Sequence, residues 1–243
     1  MRSFDPTPFV LPLFGALALT VLAGGARAEM MDDHLFTLVA LDRLEYRARN
    51  GNDLLAWEGQ GKIGTDYHKL ALKSEGEYER RADRFEKAEV RLLYQRLISD
   101  FFDVQAGVRY DFEPDPSRVY GVVGLAGLAP QWFETDANLF VSDRGDVSAR
   151  LEAEYDVLIT QRLVLQPSAE LNLGLSNDRP TGMGSGVRNV EFGLRLRYEI
   201  VREFAPYIGV HWERKLGRTA DIASEEGEDD SVVSLVAGVR VFF

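Results

Sequence analysis

From residue 36 to the C-terminus the chain alternates apolar and polar residues with period two, the spacing that puts alternate side chains of an extended strand on opposite faces. Four segments carry the pattern most clearly. In residues 102–112, Phe102, Val104, Ala106, Val108, Tyr110 and Phe112 share one face, against Asp103, Gln105, Gly107, Arg109 and Asp111. Residues 147–159 and 190–200 repeat the scheme, the latter with Phe192, Leu194, Leu196 and Tyr198 opposed to Glu191, Gly193, Arg195 and Arg197. The last segment, 233–243, places Val233, Leu235, Ala237, Val239, Val241 and Phe243 on one face and ends the chain on an aromatic residue.

Weaker segments fill the intervals at 36–49, 53–64, 69–80, 86–96, 118–128, 131–142, 163–174 and 206–216. The total is about twelve strands, an even number. Their connections sort into two alternating sets. Asn50–Asn52, Arg81–Asp83, Pro114–Pro116, Asp143–Gly145, Ser176–Gly186 and Gly217–Asp230 are polar and in two cases long. Thr65-Asp66, Ser99-Asp100, Ala129-Pro130, Thr160-Gln161 and Val201–Ala205 are short. Long loops on one rim and tight turns on the other describe an all-β, transmembrane, antiparallel up-and-down β-barrel of about 12 strands, with long loops outside and both termini in the periplasm.

A soluble β-sandwich also alternates. Two features weigh against it: the clear segments are 11–13 residues long, enough to cross a bilayer at a tilt, and Tyr46, Tyr78, Tyr94, Tyr110, Phe112, Tyr198 and Phe243 fall near strand ends, where an aromatic girdle sits. Energetics then chooses the faces. Arg or Lys exposed to lipid at mid-bilayer costs roughly 2–4 kcal/mol, so the apolar rows face outward. Arg43, Glu45, Arg47, Glu58, Lys62, Lys73, Glu75, Glu77, Arg91, Arg109, Glu152, Arg195, Arg197, Glu199 and Arg240 then line the lumen, filling it as Arg/Glu ladders in preference to leaving an open channel.

The N-terminus points to export. Residues 9–25 are almost wholly apolar and are followed by Ala26-Arg27-Ala28, a small-x-small cleavage pattern, so residues 1–28 read as a cleaved signal peptide rather than a membrane anchor. A short periplasmic segment, 29–35, precedes the barrel, 36–243, and the expected location is the bacterial outer membrane in contact with its lipid. Composition narrows the chemistry further. The 243 residues contain no cysteine, which excludes disulfides, zinc–thiolate sites, iron–sulfur clusters and thiol nucleophiles. With 28 Lys+Arg against 39 Asp+Glu and a net charge of −11, nucleic acid is not an expected partner. The acidic run Glu225–Asp230 is expected to hang outside the cell as a solvated loop. Catalysis is not expected either: of the three histidines only His211 is placed near the barrel wall, and no serine stands beside it on the same face of its strand, although a neighbouring strand could supply one.

Several longer strings resemble the copper resistance protein B family: Gly107-Val-Arg-Tyr-Asp111, Gly127-Leu-Ala-Pro-Gln-Trp-Phe133, Thr160-Gln-Arg-Leu-Val-Leu-Gln-Pro167, Gly193 to Tyr207, and Lys215-Leu-Gly-Arg-Thr-Ala-Asp221. The resemblance extends from Asp32 to Phe243. It implies an outer-membrane barrel of copper homeostasis or resistance that binds copper or passes it across the membrane, with copper as its ligand and a periplasmic multicopper oxidase as a partner. The alternative is a general porin or structural barrel without a metal role. Many family members carry a long Met- and His-rich segment before the barrel, of the soft thioether and imidazole ligands that suit copper. Here Met30, Met31 and His34 stand together at the expected mature N-terminus, with Asp32 and Asp33 between them. His211, on the predicted lumen face, is the further candidate ligand; His68 beside a periplasmic turn and Met183 in an outer loop are weaker ones.

Overall fold

A computed structural model of the protein describes residues 34–49, 53–176, 184–227 and 229–243. Its elements are β1 (Phe36–Ala48), β2 (Leu54–Gly64), β3 (His68–Glu79), β4 (Arg84–Ser99), β5 (Phe102–Glu113), β6 (Arg118–Ala129), a 3-10 turn (Pro130–Trp132), β7 (Phe133–Ser142), β8 (Val147–Glu154), β9 (Val157–Leu158), β10 (Leu163–Gly174), β11 (Gly186–Tyr198), β12 (Phe204–Lys215), α1 (Gly217–Glu226) and β13 (Ser231–Phe242). Each strand pairs antiparallel with its neighbour, and β13 returns to pair with β1 from Ala40↔Phe242 to Ala48↔Leu235, so the sheet closes on itself. The last residue takes part in the seam: Val39 N–H donates to the Phe243 carbonyl at 2.9 Å, and Phe243 N–H donates to the Val39 carbonyl at 2.8 Å.

The short strands β8 and β9 are one stave of a twelve-stave wall. Their register against β10 is continuous, with Glu154 opposite Ser168 and Val157 opposite Leu165. Between them Tyr155 N–H donates to the Pro167 carbonyl at 3.1 Å, and Pro167 has no N–H with which to return the bond, so the ladder thins there without slipping. The expected alternation of tight turns and longer loops holds, with the two sets on opposite rims. The tight β6–β7 turn is unusual: both Gln131 (φ 65°) and Trp132 (φ 70°) adopt left-handed backbone.

One expected loop is partly a helix. The segment Gly217–Asp230 begins with the ten-residue α1, ended by Gly227 at φ 78°, whose N–H reaches the carbonyls of Ala223 and Ser224. A search for period two passes over such a helix, because the local preferences of Arg218 to Glu225 become visible only at a spacing of 3.6. The acidic run is therefore divided between the helix end and the short link to β13. No helix among the described residues is long and apolar enough to span a membrane.

The two faces fall as the pattern requires. Outward-pointing Val108, Leu72, Leu139, Val233 and Leu235 are more than half exposed, while Glu45, Arg91, Gln105, Arg150 and Arg195 are buried inside. An apolar exterior around a charged interior inverts a soluble protein and excludes the sandwich, whose hydrophobic residues would meet between two sheets. Aromatic residues mark the rims. Tyr110 packs edge-on against Phe112 with centroids 4.6 Å apart, and Phe101 meets Trp132 at the turn-bearing end.

Candidate functional site: a sealed, charged lumen

Register places acidic residues directly opposite one another on successive strands. One arc runs Glu58–Glu75–Glu89 across β2, β3 and β4. A second runs Asp136–Glu152–Glu170–Glu191–Glu213 across β7, β8, β10, β11 and β12. Directly opposed like charges destabilise a sheet, so both arcs need cations brought to them. Those cations come from across the barrel as well as from adjacent strands.

Arg150 on β8 extends to Glu75 on β3 at 3.0 Å and makes paired bonds with Glu89 on β4 at 3.1 and 3.0 Å. Glu89 also receives Arg109 at 2.8 Å, and Glu75 receives Lys87 at 2.5 Å. Lys73 on β3 reaches Asp136 on β7 at 2.5 Å, beside an amide chain in which Gln95 donates to Gln105 and Gln105 donates to Asp136 and Asn138. Arg43 on β1 bonds Glu154 on β8 across the lumen and pairs with Glu58 at 3.3 Å. Arg195 on β11 grips Glu45 on β1 with two bonds of 2.9 Å, joined by Arg47 at 2.7 Å and by the Tyr207 hydroxyl at 3.1 Å.

These crossings bury the Glu45–Arg195 cluster while leaving Arg43, Glu58 and Glu154 part-exposed. Glu45 is 1% exposed and Arg195 2%, as little as core residues of a soluble domain. An apolar wedge of Ala71, Leu93, Tyr120, Val122 and Phe140 completes the packing, and the Arg109 guanidinium lies 4.8 Å from the Phe140 ring centroid. A cavity of about 20 Å³ remains at mid-height, room for roughly one water molecule, lined by Arg43, Ser168, Ala169, Gly193 and the carboxylates of Glu58, Glu75, Glu152, Glu154, Glu170 and Glu191. Glutamates of the second arc meet their cations at longer range: Arg150 approaches Glu152 at 3.7 Å and Glu170 at 3.4 Å, Arg49 approaches Glu213 at 3.7 Å, and amides of Asn172 and Asn189 donate to Glu170 at 2.7 Å and Glu191 at 2.8 Å.

The candidate copper ligands do not converge. Met30, Met31 and Met183 lie outside the described residues, as does the leader 1–28. His34 is exposed at the approach to β1. His211 does face the lumen, 4% exposed, opposite Gly193 and Ser234. Its Nε2 stands 3.4 Å from Arg47 Nη1 and 3.5 Å from Glu191 Oε2, so a guanidinium already occupies the space beside its donor atom. His68 points to the outside of the barrel, its Nδ1 2.5 Å from the Tyr94 hydroxyl. Among the described residues no three His or carboxylate groups are arranged to hold a metal ion.

Sequence parity found the lumen face but not its central members. Arg150 shares parity with the assigned lumen residue Glu152 on β8 and Glu89 with Arg91 on β4, which is the available signal; no residue of β7 or β10 is assigned to the lumen from sequence, so Asp136 and Glu170 are missed. Which of them oppose each other follows only from register.

Fold and lumen together define an outer-membrane-type β-barrel of twelve staves with a salt-bridged interior. A similar fold appears in the NanC porin (TM-score 0.52, 16% identity, 84% of this chain and 98% of that one) and in the KdgM porin in complex with disordered oligogalacturonate (TM-score 0.53, 10% identity, 85% and 99%). At such identities the likeness is one of fold. Sequence gives the lineage: the family model described as Copper resistance protein B precursor (CopB) matches residues 35–243. The Copper resistance protein B homolog of Pseudomonas syringae pv. tomato (strain ATCC BAA-871 / DC3000) is 42% identical over 242 residues, all of this chain and 81% of that protein. Copper resistance protein B of Escherichia coli is 45% identical over 212 residues, 87% of this chain and 71% of that protein. The chain belongs to the copper resistance protein B family.

Proposed function

We propose that this protein is a non-enzymatic outer-membrane barrel of copper resistance that binds copper on its periplasmic side, through Met30, Met31 and His34, and is anchored there by a barrel whose lumen is closed at rest. The observation that carries this reading is the chemistry of the lumen. Its donors are carboxylates and amides already engaged by guanidinium and ammonium groups, which suit hard cations, and its one histidine is held against Arg47. The soft donors that suit copper cluster instead just before β1. A lumen filled by buried ion pairs also argues against a general porin. Delivery of a cleaved precursor, residues 1–28 removed, would place the ligand segment in the periplasm, where a multicopper oxidase of the kind the family resemblance implies can exchange copper with it.

The test is calorimetric titration of the refolded barrel with Cu(II), and with Cu(I) under reductant. Three proteins are compared: the parent, a Met30→Ala/Met31→Ala/His34→Ala variant, and His211→Ala. The proposal expects binding by the parent and by His211→Ala, and its loss in the triple variant. Equal binding by all three, or none by the parent, would refute it.

A further inference from the structure

We propose that Arg96 and His68, on the lipid-facing side of β4 and β3, bind the phosphate of an anionic glycerophospholipid in the periplasmic leaflet of the membrane. The inference goes beyond the copper reading and is independent of where copper binds.

Three observations support it. First, Arg96 breaks an apolar row. On β4 the outward residues Leu92, Tyr94, Arg96 and Ile98 are exposed, alternating with buried Arg91, Leu93 and Gln95. Among the described strand residues on the turn-bearing half of the wall, no other arginine or lysine stands on an outward row. A guanidinium facing hydrocarbon costs more the deeper it lies, so Arg96, just inside the exposed rim aromatics Tyr67 and Phe101, turns its charged head towards the interface, where lipid phosphates lie.

Second, the protein supplies no anion there. Among the described residues no carboxylate pairs with Arg96. Its neighbour on β5 is Val104, and Asp103 beside that residue points into the lumen, held by Lys69 at 2.8 and 2.6 Å. Asp66 and Asp100 stand in the water-exposed turns. An anion from the membrane completes the pair, and the planar guanidinium suits two phosphate oxygens at once.

Third, a second donor stands beside the first. His68 lies directly opposite Arg96 across the β3–β4 pair, which sets their Cβ atoms about 5 Å apart. Tyr94 orients its ring: Nδ1 is 2.5 Å from the Tyr94 hydroxyl, and the two rings stack with centroids 6.0 Å apart. With the hydroxyl donating to Nδ1, the ring proton is on Nε2, which is left to donate to a ligand. A phosphodiester fits between these donors, with its acyl chains along exposed Leu70, Leu72 and Leu92. A zwitterionic lipid would bring an ammonium that meets no carboxylate at this pair. The net charge of −11 repels anionic lipid from the protein as a whole, so a preference for it reports a local site.

The experiment is native mass spectrometry of the refolded full chain in detergent, titrated with phosphatidylglycerol or with phosphatidylcholine, with heat-modified gel mobility to verify that each variant is folded. The parent should bind its first phosphatidylglycerol roughly tenfold more tightly than phosphatidylcholine, the factor expected of one charge-assisted contact. Arg96→Gln should abolish that preference, and His68→Ala should reduce it by about threefold. Arg80→Gln/Arg214→Gln, at the outer ends of their outward rows, should retain it, and a large excess of glycerol phosphate should not displace the lipid. Equal affinity of the parent for the two lipids, a preference kept by folded Arg96→Gln, or one lost in the outer double variant overturns the site. Displacement by glycerol phosphate overturns the lipid as its occupant, and an unchanged His68→Ala overturns the part given to His68. Should Arg96→Gln fail to fold, the parent and the outer double variant carry the test, because a preference absent from either refutes the site.

Discussion

Removing the Glu45 carboxylate should cost more stability than any exposed ion pair can. Glu45 is 1% exposed and accepts two bonds from Arg195, one from Arg47 and one from the Tyr207 hydroxyl. Glu45→Ala leaves two guanidinium groups buried with less anionic compensation and one hydroxyl without its acceptor. Breaking a buried pair in this way costs about 3–5 kcal/mol, most of it from the charge left behind rather than from the attraction lost. Arg47 retains Glu77 at 2.5 Å, which places the expected loss at the lower end, about 3 kcal/mol. The contrasting pair is Arg240–Asp42, 3.7 Å apart and part-exposed on both sides, where Gln60 still donates to Asp42; Arg240→Ala should change stability by less than about 1 kcal/mol. Reversible urea unfolding in lipid vesicles, followed by tryptophan fluorescence, measures both. Replacing the partners together, Glu45→Leu/Arg195→Met, should recover much of the loss, since a packed apolar pair avoids the desolvation of two charges. If Glu45→Ala loses less than about 1 kcal/mol, or if the double variant is no better than the single one, the lumen is wetter than its packing indicates and the argument from buried charge fails.

Two further outcomes test the wall itself. Val108 points outward near the middle of β5 and is 53% exposed, so Val108→Arg should destabilise the folded barrel by about 2–4 kcal/mol in the same unfolding assay, a cost that vanishes if that face does not meet lipid. At Gly107, on the opposite face, a Cβ would stand 2.0 Å from the Leu92 carbonyl oxygen of β4, so Gly107→Ala should disrupt the β4–β5 pairing and reduce the yield of heat-modifiable, folded barrel, whereas Gly121→Ala, whose Cβ would stand 4.0 Å from the Val141 carbonyl oxygen, should fold like the parent.

Much of this molecule was legible without coordinates, for a local reason. Strand side chains alternate with period two whatever the rest of the chain does, and lipid outside admits only apolar residues there. Alternation in residues 102–112 or 190–200 therefore determined the outward face, the inward charges, and the lumen position of His211. The staves follow as well, and so do the two kinds of connection.

Tertiary structure decided which charge meets which. Arg150 and Glu75, or Arg43 and Glu154, are distant in sequence and not adjacent in the sheet; they meet because closure of the wall and its stagger bring particular heights on opposite sides together. No pattern along one strand encodes that stagger. The acidic arcs are likewise a product of register: each glutamate looks ordinary on its own strand, and the repulsion appears only when Glu152, Glu170 and Glu191 are placed side by side. The thinning of the eighth stave needed the same information, because its cause is Pro167 on the neighbouring strand. Helix α1 was missed for a different reason, its period lying outside the one that organises the wall. A barrel's exterior is set by its solvent residue by residue, whereas its interior is set by contacts among residues that only the closed sheet brings together.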